Sequence, residues 1–226
     1  MENGNFKFLI IGAGRGGTSL LAGLLDSHSQ LEVAMEKFAR DYLMGSNPKP
    51  HLFKEACVKE SKRYPGKLWG NKITTEQMSV LNDKDFSGIH HFFQEVLRGI
   101  KIIFILRDGR ACVRSKMERK GLTLEEACCR WKYSVKIYQY LLASNLEKLT
   151  VTYEDLVVQP ETVLKRICVF LGVSYESGML EGVSSPKMQI NYRKSYFDRS
   201  KLTWEEFPKE HLPLIQEELL SCGYSY

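Results

Sequence analysis

Two short stretches of this chain hold residues suited to gripping anions. The first, Gly12-Ala13-Gly14-Arg15-Gly16-Gly17-Thr18-Ser19, combines glycine backbone freedom with one cation and two hydroxyls. The backbone N–H groups of such a turn, together with the N-terminus of a following helix, form a phosphate cradle. The frame Gly12-x-x-x-x-Gly17-x-Ser19 matches the phosphate-loop pattern, except that Thr18 stands in the lysine position. The same residues also satisfy Gly12-x-Gly14-x-x-Gly17, the dinucleotide fingerprint, for which Glu32 or Glu36 would be the acidic partner. The missing lysine argues for a phosphate-bearing donor other than an ordinary magnesium nucleoside triphosphate. The second stretch is Arg107-Asp108-Gly109-Arg110-Ala111-Cys112-Val113-Arg114-Ser115. A planar arginine fork at a strand end and a serine hydroxyl on the next helix can converge on one anion. The sequence therefore presents two anion sites.

Both stretches need strands to aim them. Phe6-Lys7-Phe8-Leu9-Ile10-Ile11 and Lys101-Ile102-Ile103-Phe104-Ile105-Leu106 are apolar runs of the kind buried in parallel sheets, and each ends where an anion stretch begins. Ligands of open α/β sheets gather at the carboxyl ends of strands. Further strands are expected at 31–35, 67–70 and 149–153, and helices at 18–27, 88–98, 110–118, 124–143, 160–171 and 208–221. Pro160 opens its helix and Gly172 closes it. The alternation predicts an α/β, P-loop-type three-layer fold with a central, mainly parallel sheet flanked by helices. Residues 37–66 and 173–207 are irregular in pattern and are expected to form acceptor-side loops within one domain spanning 1–226. The basic cluster Arg193, Lys194, Arg199 and Lys201 is either a solvated surface or a flap over an anion.

Composition narrows the classes. The chain has 226 residues, 43% hydrophobic and 26% charged, with net charge +5. These are ordinary values for a globular protein, and the charge suits an anionic ligand without pointing to nucleic acid. No leader-like or membrane-length apolar run is seen, so a cytoplasmic protein with no membrane partner is expected. Six cysteines without a C-x-x-C pair read as reduced thiols, with Cys112, Cys128 and Cys168 in the core. The five histidines lack metal-ligand spacing, and no metal is expected. Tyr42, Phe53, Tyr64, Tyr192, Tyr196 and Phe197 are candidates for an aromatic wall or for core packing.

The pairing of R-x-G-T-S-L after the first strand with L-R-D-G-R-x-x-x-x-S after a later one resembles the sulfotransferase family. Those enzymes use 3′-phosphoadenosine-5′-phosphosulfate (PAPS). The chain looks most like the tyrosylprotein sulfotransferase branch and its bacterial relatives. Leu25-Asp26-Ser27-His28-Ser29 stands for the branch's L-D-x-H-P, Trp69-Gly70-Asn71-Lys72 for its N-K segment, and Leu149–Leu156 for its Y-E-x-L strand. Arg199-Ser200-Lys201 is a weaker counterpart of a late S-K element, and Gly16 replaces the usual serine. The resemblance covers residues 6 to about 172 well and the last 54 poorly.

The resemblance implies transfer of a sulfuryl group from PAPS to an acceptor hydroxyl in a carbohydrate, small molecule or peptide, without a metal. It implies Glu36 as the carboxylate base, Arg15 on the bridging oxygen and 5′-phosphate, Lys72 on the moving sulfonate, and Ser200 as a further catalytic group. Gly16, Gly17, Thr18 and Ser19 would cradle the 5′-phosphosulfate, with Thr18 and Ser19 also capping the helix. Arg107 and Ser115 would hold the 3′-phosphate, and Tyr153 would stand at the adenosine side or support the sheet. A homodimer is compatible with this picture. A P-loop nucleotide kinase and a non-catalytic nucleotide-binding module are the alternatives.

Overall fold

The computed structural model describes residues 4–82, 85–184 and 197–225. Five strands form its sheet: β1 (Phe6–Gly12), β2 (Leu31–Met35), β3 (Leu68–Lys72), β4 (Lys101–Leu106) and β5 (Lys148–Thr152). Their order is β2-β3-β1-β4-β5 and every pairing is parallel. All five expected strands are present, with ends within two residues of those read from the apolar runs. Alternation along β1 and β4 divides the core. Leu9, Ile11, Ile102, Phe104 and Leu106 face one layer, and Phe8, Ile10, Ile103 and Ile105 face the other.

The second face is covered by α1 (Thr18–Asp26) and α8 (Pro160–Leu171), whose leucines and Ile167 join Phe8 and Ile10. The first is covered by α3 (Pro50–Ser61), by α4 (Ser87–His91), which runs into a π-helical turn at Phe92–Val96, and by α6 (Leu124–Ala143). Helix α5 (Gly109–Lys120) packs on α6 through Cys112, Val113, Cys128 and Trp131, in a third cluster above the strand ends. Short α2 (Ala39–Tyr42) precedes α3, α7 (Tyr153–Val158) follows β5, and α9 (Gln216–Ser221) ends the chain. Cys112, Cys128 and Cys168 are buried free thiols, as expected.

Three sequence expectations need correction. Residues 37–66 are not one loop: α2 spans Ala39–Tyr42, Pro50 opens α3, and Phe53, Cys57 and Ser61, four apart, form the buried stripe of α3. Its remaining positions mix Lys54, Glu55, Lys59 and Glu60 with Leu52, Ala56 and Val58, which hides the stripe. The expected helix at 208–221 is two pieces, a 3-10 turn at Lys209–Leu214 that includes Pro213, then α9. The stretch 173–207 holds 3-10 turns at Ser177–Ser184 and Arg199–Lys201. Arg193, Lys194, Tyr192 and Tyr196 lie outside the described residues. Phe53 is fully buried, and Tyr42, Tyr64 and Phe197 pack against the core, so the described aromatic candidates serve packing.

At the open edge of the sheet, the Asp26 carboxylate at the end of α1 accepts a hydrogen bond from the Val33 N–H of β2 at 2.8 Å.

Candidate active site

Strands β1, β3 and β4 end side by side, and above their carboxyl ends lies a cavity of about 450 Å³. Arg15, Gly17, Thr18, Ser19, Glu36, Lys72, Arg107, Ser115, Tyr153 and Ser200 all line it. Residues up to 185 positions apart in sequence, Arg15 and Ser200, thus meet at one place. Gly16 is buried beneath the loop, its N–H bonded to the Ala13 carbonyl at 2.8 Å.

The glycine loop is shaped for its position. Gly17 has φ 96°, and a Cβ there would stand 2.4 Å from the Tyr153 ring. Only glycine combines that left-handed backbone with that approach. A Cβ at Gly12 would stand 2.4 Å from the Ile105 carbonyl of β4. Gly17 is the N-cap of α1, and no side chain caps this helix. Thr18 and Ser19 therefore do not cap it as expected. They are its first helical residues, and this turn, whose amides no side chain caps, lines the cavity, an arrangement that favours an anion. Arg15 has φ 71°, uncommon for a side-chain-bearing residue, and its Nε donates to Ser115 Oγ at 3.1 Å. That bond joins the two anion stretches.

Glu36 follows β2 on a left-handed backbone, φ 58°. Its N–H donates to the Lys72 carbonyl at 2.7 Å, and the buried Asn71 amide clasps the backbone of Lys37 from both sides, at 2.8 and 3.2 Å. This seats the Glu36 carboxylate beside Lys72, whose Nζ lies 2.5 Å from Oε1. The Lys72 side chain is 4% exposed and that of Glu36 is 42% exposed. Gln77 Nε2 donates to the second oxygen at 3.0 Å.

A second carboxylate–lysine pair lines the same cavity. Both Glu76 oxygens accept from the Gly14 N–H, at 3.1 and 2.9 Å, and Lys116 of α5 donates to Oε1. Burial pushes the Glu76 carboxyl upward, but the Lys116 ammonium and the Gly14 N–H outweigh it and hold the group below the usual carboxylate range. No local pattern marked Glu76 or Lys116 as site residues. The readable signal was Thr74-x-x-Gln77, a capping box that forms here and turns Glu76 toward the loop.

Arg107 is less free than its motif suggests. Its NH1 donates to the Arg15 carbonyl at 2.7 Å and its NH2 to the Lys201 carbonyl at 2.5 Å, while its guanidinium stacks 4.1 Å above the Tyr153 ring. Its Nε is buried without a hydrogen-bond partner. The corner beneath is braced. Asp108 caps α5 by accepting from Arg110 N at 2.8 Å, and Thr203 Oγ1 donates to its Oδ2 at 2.9 Å. Glu154 accepts from Asp108 N at 2.9 Å and from the Tyr224 hydroxyl at 3.0 Å, and burial raises the Glu154 carboxyl above its ordinary range. Ser200 Oγ donates to Asp198 at 2.6 Å, and Ser200 and Lys201 hold that carboxyl down to about 2. His90 bonds Tyr140, away from the cavity.

Residues 83–177 match the model of the sulfotransferase family. That segment contains Arg107, Ser115 and Tyr153. Over 201 residues the chain is 26% identical to protein-tyrosine sulfotransferase A of Caenorhabditis elegans, covering 79% of this chain and 53% of that protein. It thus spans about half the length of that relative. A sulfotransferase domain from the Synechococcus PCC 7002 olefin synthase superposes with TM-score 0.71 at 20% identity, over 100% of this chain and 97% of that one. A mouse sulfotransferase complexed with PAP superposes with TM-score 0.54 at 14% identity, over 96% and 85%. The α/β, P-loop-type architecture read from the strands is therefore the sulfotransferase fold, and the nucleotide-kinase alternative gains nothing from these likenesses.

Proposed function

We propose that this protein transfers a sulfuryl group from PAPS to an acceptor hydroxyl, with Glu36 as the base. The observation that carries this reading is the Glu36–Lys72 pair, 2.5 Å apart, in the cavity that also holds Arg15 and the N-terminus of α1. The donor set fits a molecule with anionic groups at two places. The Gly17–Ser19 amides and Arg15 meet a 5′-phosphosulfate at one end, and Ser115 and Arg107 meet a 3′-phosphate at the other. There the phosphate competes with the Lys201 carbonyl for the NH2 edge of Arg107. Tyr153, already stacked under Arg107, borders the same end.

Glu36 takes the acceptor's hydroxyl proton as the new oxygen–sulfur bond forms. The sulfur–oxygen bond to the 5′-phosphate breaks, and the adenosine bisphosphate leaves with the electron pair. Arg15 and the α1 amides meet the charge gathering on that leaving oxygen, while Lys72 neutralises the sulfonate oxygens in flight. Lys72 can serve both partners because it already lies against Glu36. Ser200 borders the cavity and supports the Lys201 turn through Asp198. The phosphate leaving group departs readily without a metal. The likeness to a protein-tyrosine sulfotransferase puts tyrosyl peptides first in the acceptor screen, followed by carbohydrates and small alcohols.

Incubation with labelled PAPS and those acceptors tests the proposal, with label expected in the acceptor. Glu36→Gln is expected to lower turnover at least about 100-fold while the protein still binds adenosine 3′,5′-bisphosphate in calorimetry. Failure of the parent protein to bind the bisphosphate would refute the reading.

A further inference from the structure

Gln77 has no part in the roles above, yet it reaches the carboxylate assigned as the base. It is the third residue of the 3-10 turn at Thr75–Leu81, and Thr74 precedes that turn. The two form a reciprocal capping box: the Thr74 side chain accepts from the Gln77 backbone, and Gln77 Oε1 accepts from the Thr74 N–H at 2.8 Å. With its oxygen so occupied, the side-chain amide has one orientation, and its NH2 group must be the donor toward Glu36 Oε2, 3.0 Å away. Lys72 meanwhile donates to Oε1 at 2.5 Å. The carboxylate is gripped at one oxygen by the end of β3 and at the other by the turn that follows it. Its own backbone is held in the left-handed region, and its side chain is partly open to solvent. A half-exposed glutamate without a second contact would rotate about its terminal torsion, which has no sharp preference.

We infer that Gln77 is the positioning residue of the base. It fixes the plane of the Glu36 carboxylate by donating, as a neutral group, to the oxygen that Lys72 does not hold. The inference rests on Glu36 being the base. The charged groups sharing the cavity with this carboxylate are Lys72 from β3, Arg15 from the loop, Arg107 from the end of β4, the Glu76–Lys116 pair, Arg114, Glu118, Arg119 and Lys120 of α5, Arg130 of α6, and Lys201. Of these, the hydrogen-bonded partner of Glu36 is Lys72. Gln77 alone among its partners is uncharged, and replacing it by an acid is therefore informative.

Gln77→Glu separates positioning from structure. The new carboxylate can still accept from the Thr74 N–H, so the capping box persists, but it sets a like charge against Glu36 instead of a donor. A like charge disfavours ionisation, so the acid limb of the pH–rate profile moves to higher pH. The expected result is a drop in kcat of about tenfold or more at neutral pH, an unchanged KM for the donor, and that displaced limb. Gln77→Leu loses kcat as well, with a smaller displacement. Thermal melting of both variants checks that each is folded. If Gln77 only builds the turn, Gln77→Glu matches the parent and Gln77→Leu loses activity in step with its melting temperature; that result overturns the inference. Carboxyl-carbon NMR reads the Glu36 titration directly in the parent and in Gln77→Glu, and needs no turnover. A titration that stays in place overturns the positioning role even in a protein that transfers nothing, whereas an inactive parent with a displaced titration would count against the transferase reading alone.

Discussion

The cavity holds two carboxylate–lysine pairs built from the same two residue types, and they differ in what surrounds them. In both, the ammonium is buried, with Lys72 and Lys116 each 4% exposed. In both, the glutamate is the more open partner, at 42% for Glu36 and 20% for Glu76. The contrast lies in the second partner. Glu76 spends both oxygens on the backbone of the glycine loop, whereas Glu36 meets only side chains, and much of its carboxylate faces the cavity. A carboxylate tied to backbone fixes a loop. One tied to side chains can exchange a partner for a substrate proton. The pair chemistry alone does not tell a structural acid from a reactive one, and the backbone contacts do.

Crossed substitutions would break this comparison most sharply. Glu76→Ala strands the buried Lys116 charge and frees the Gly14 N–H, so a loss of about 3–5 kcal/mol is expected in denaturant unfolding. Glu36→Gln should change unfolding by no more than about 1 kcal/mol while removing most turnover. Equal effects of the two on stability would mean that both acids are structural. Next in size is Gly17→Ala, which forces a left-handed alanine against Tyr153 and should cost about 1–3 kcal/mol, together with bisphosphate affinity measured by calorimetry.

The pH dependence separates the acids further. Glu76 has a folded-state pKa depressed below its ordinary 4.5, so its stabilisation is fully present above that value and is lost as pH falls through the lowered one. The stability gap between the parent and Glu76→Gln should therefore be constant above about pH 5 and shrink under acid, as read by urea titrations at pH 7 and pH 3. The smallest effect is expected at Ser200→Ala. The hydroxyl is given to Asp198 on an exposed turn, so unfolding should shift by less than about 0.5 kcal/mol and turnover only a few-fold.

Strands and both anion loops were legible because a buried parallel strand is a continuous apolar run, and the loops follow two such runs directly. The convergence of Arg15, Glu36, Lys72 and Arg107 on one cavity follows from the strand order, which sets β1 between β3 and β4. Helix α3 was not legible, since a stripe of Phe53, Cys57 and Ser61 among charged and apolar neighbours carries little periodic signal. Nor was the Glu76–Lys116 pair. Each partner reads alone as a surface charge, and only the fold brings β3's following turn against α5. Arg107 was legible as a site residue, but its engagement with two carbonyls was not, because the Lys201 carbonyl arrives from 94 residues away.

The Asp26 bond to Val33 bears on how the molecule behaves among copies of itself. An edge strand offers unpaired amides to any extended chain that passes, and β2 is such an edge. By occupying one of those amides, the carboxylate removes a rung from the ladder that an incoming strand would need, and it presents an acceptor where a donor was required. A one-residue change at Asp26 would hand that rung back, so its first visible consequence should be in solubility at high concentration.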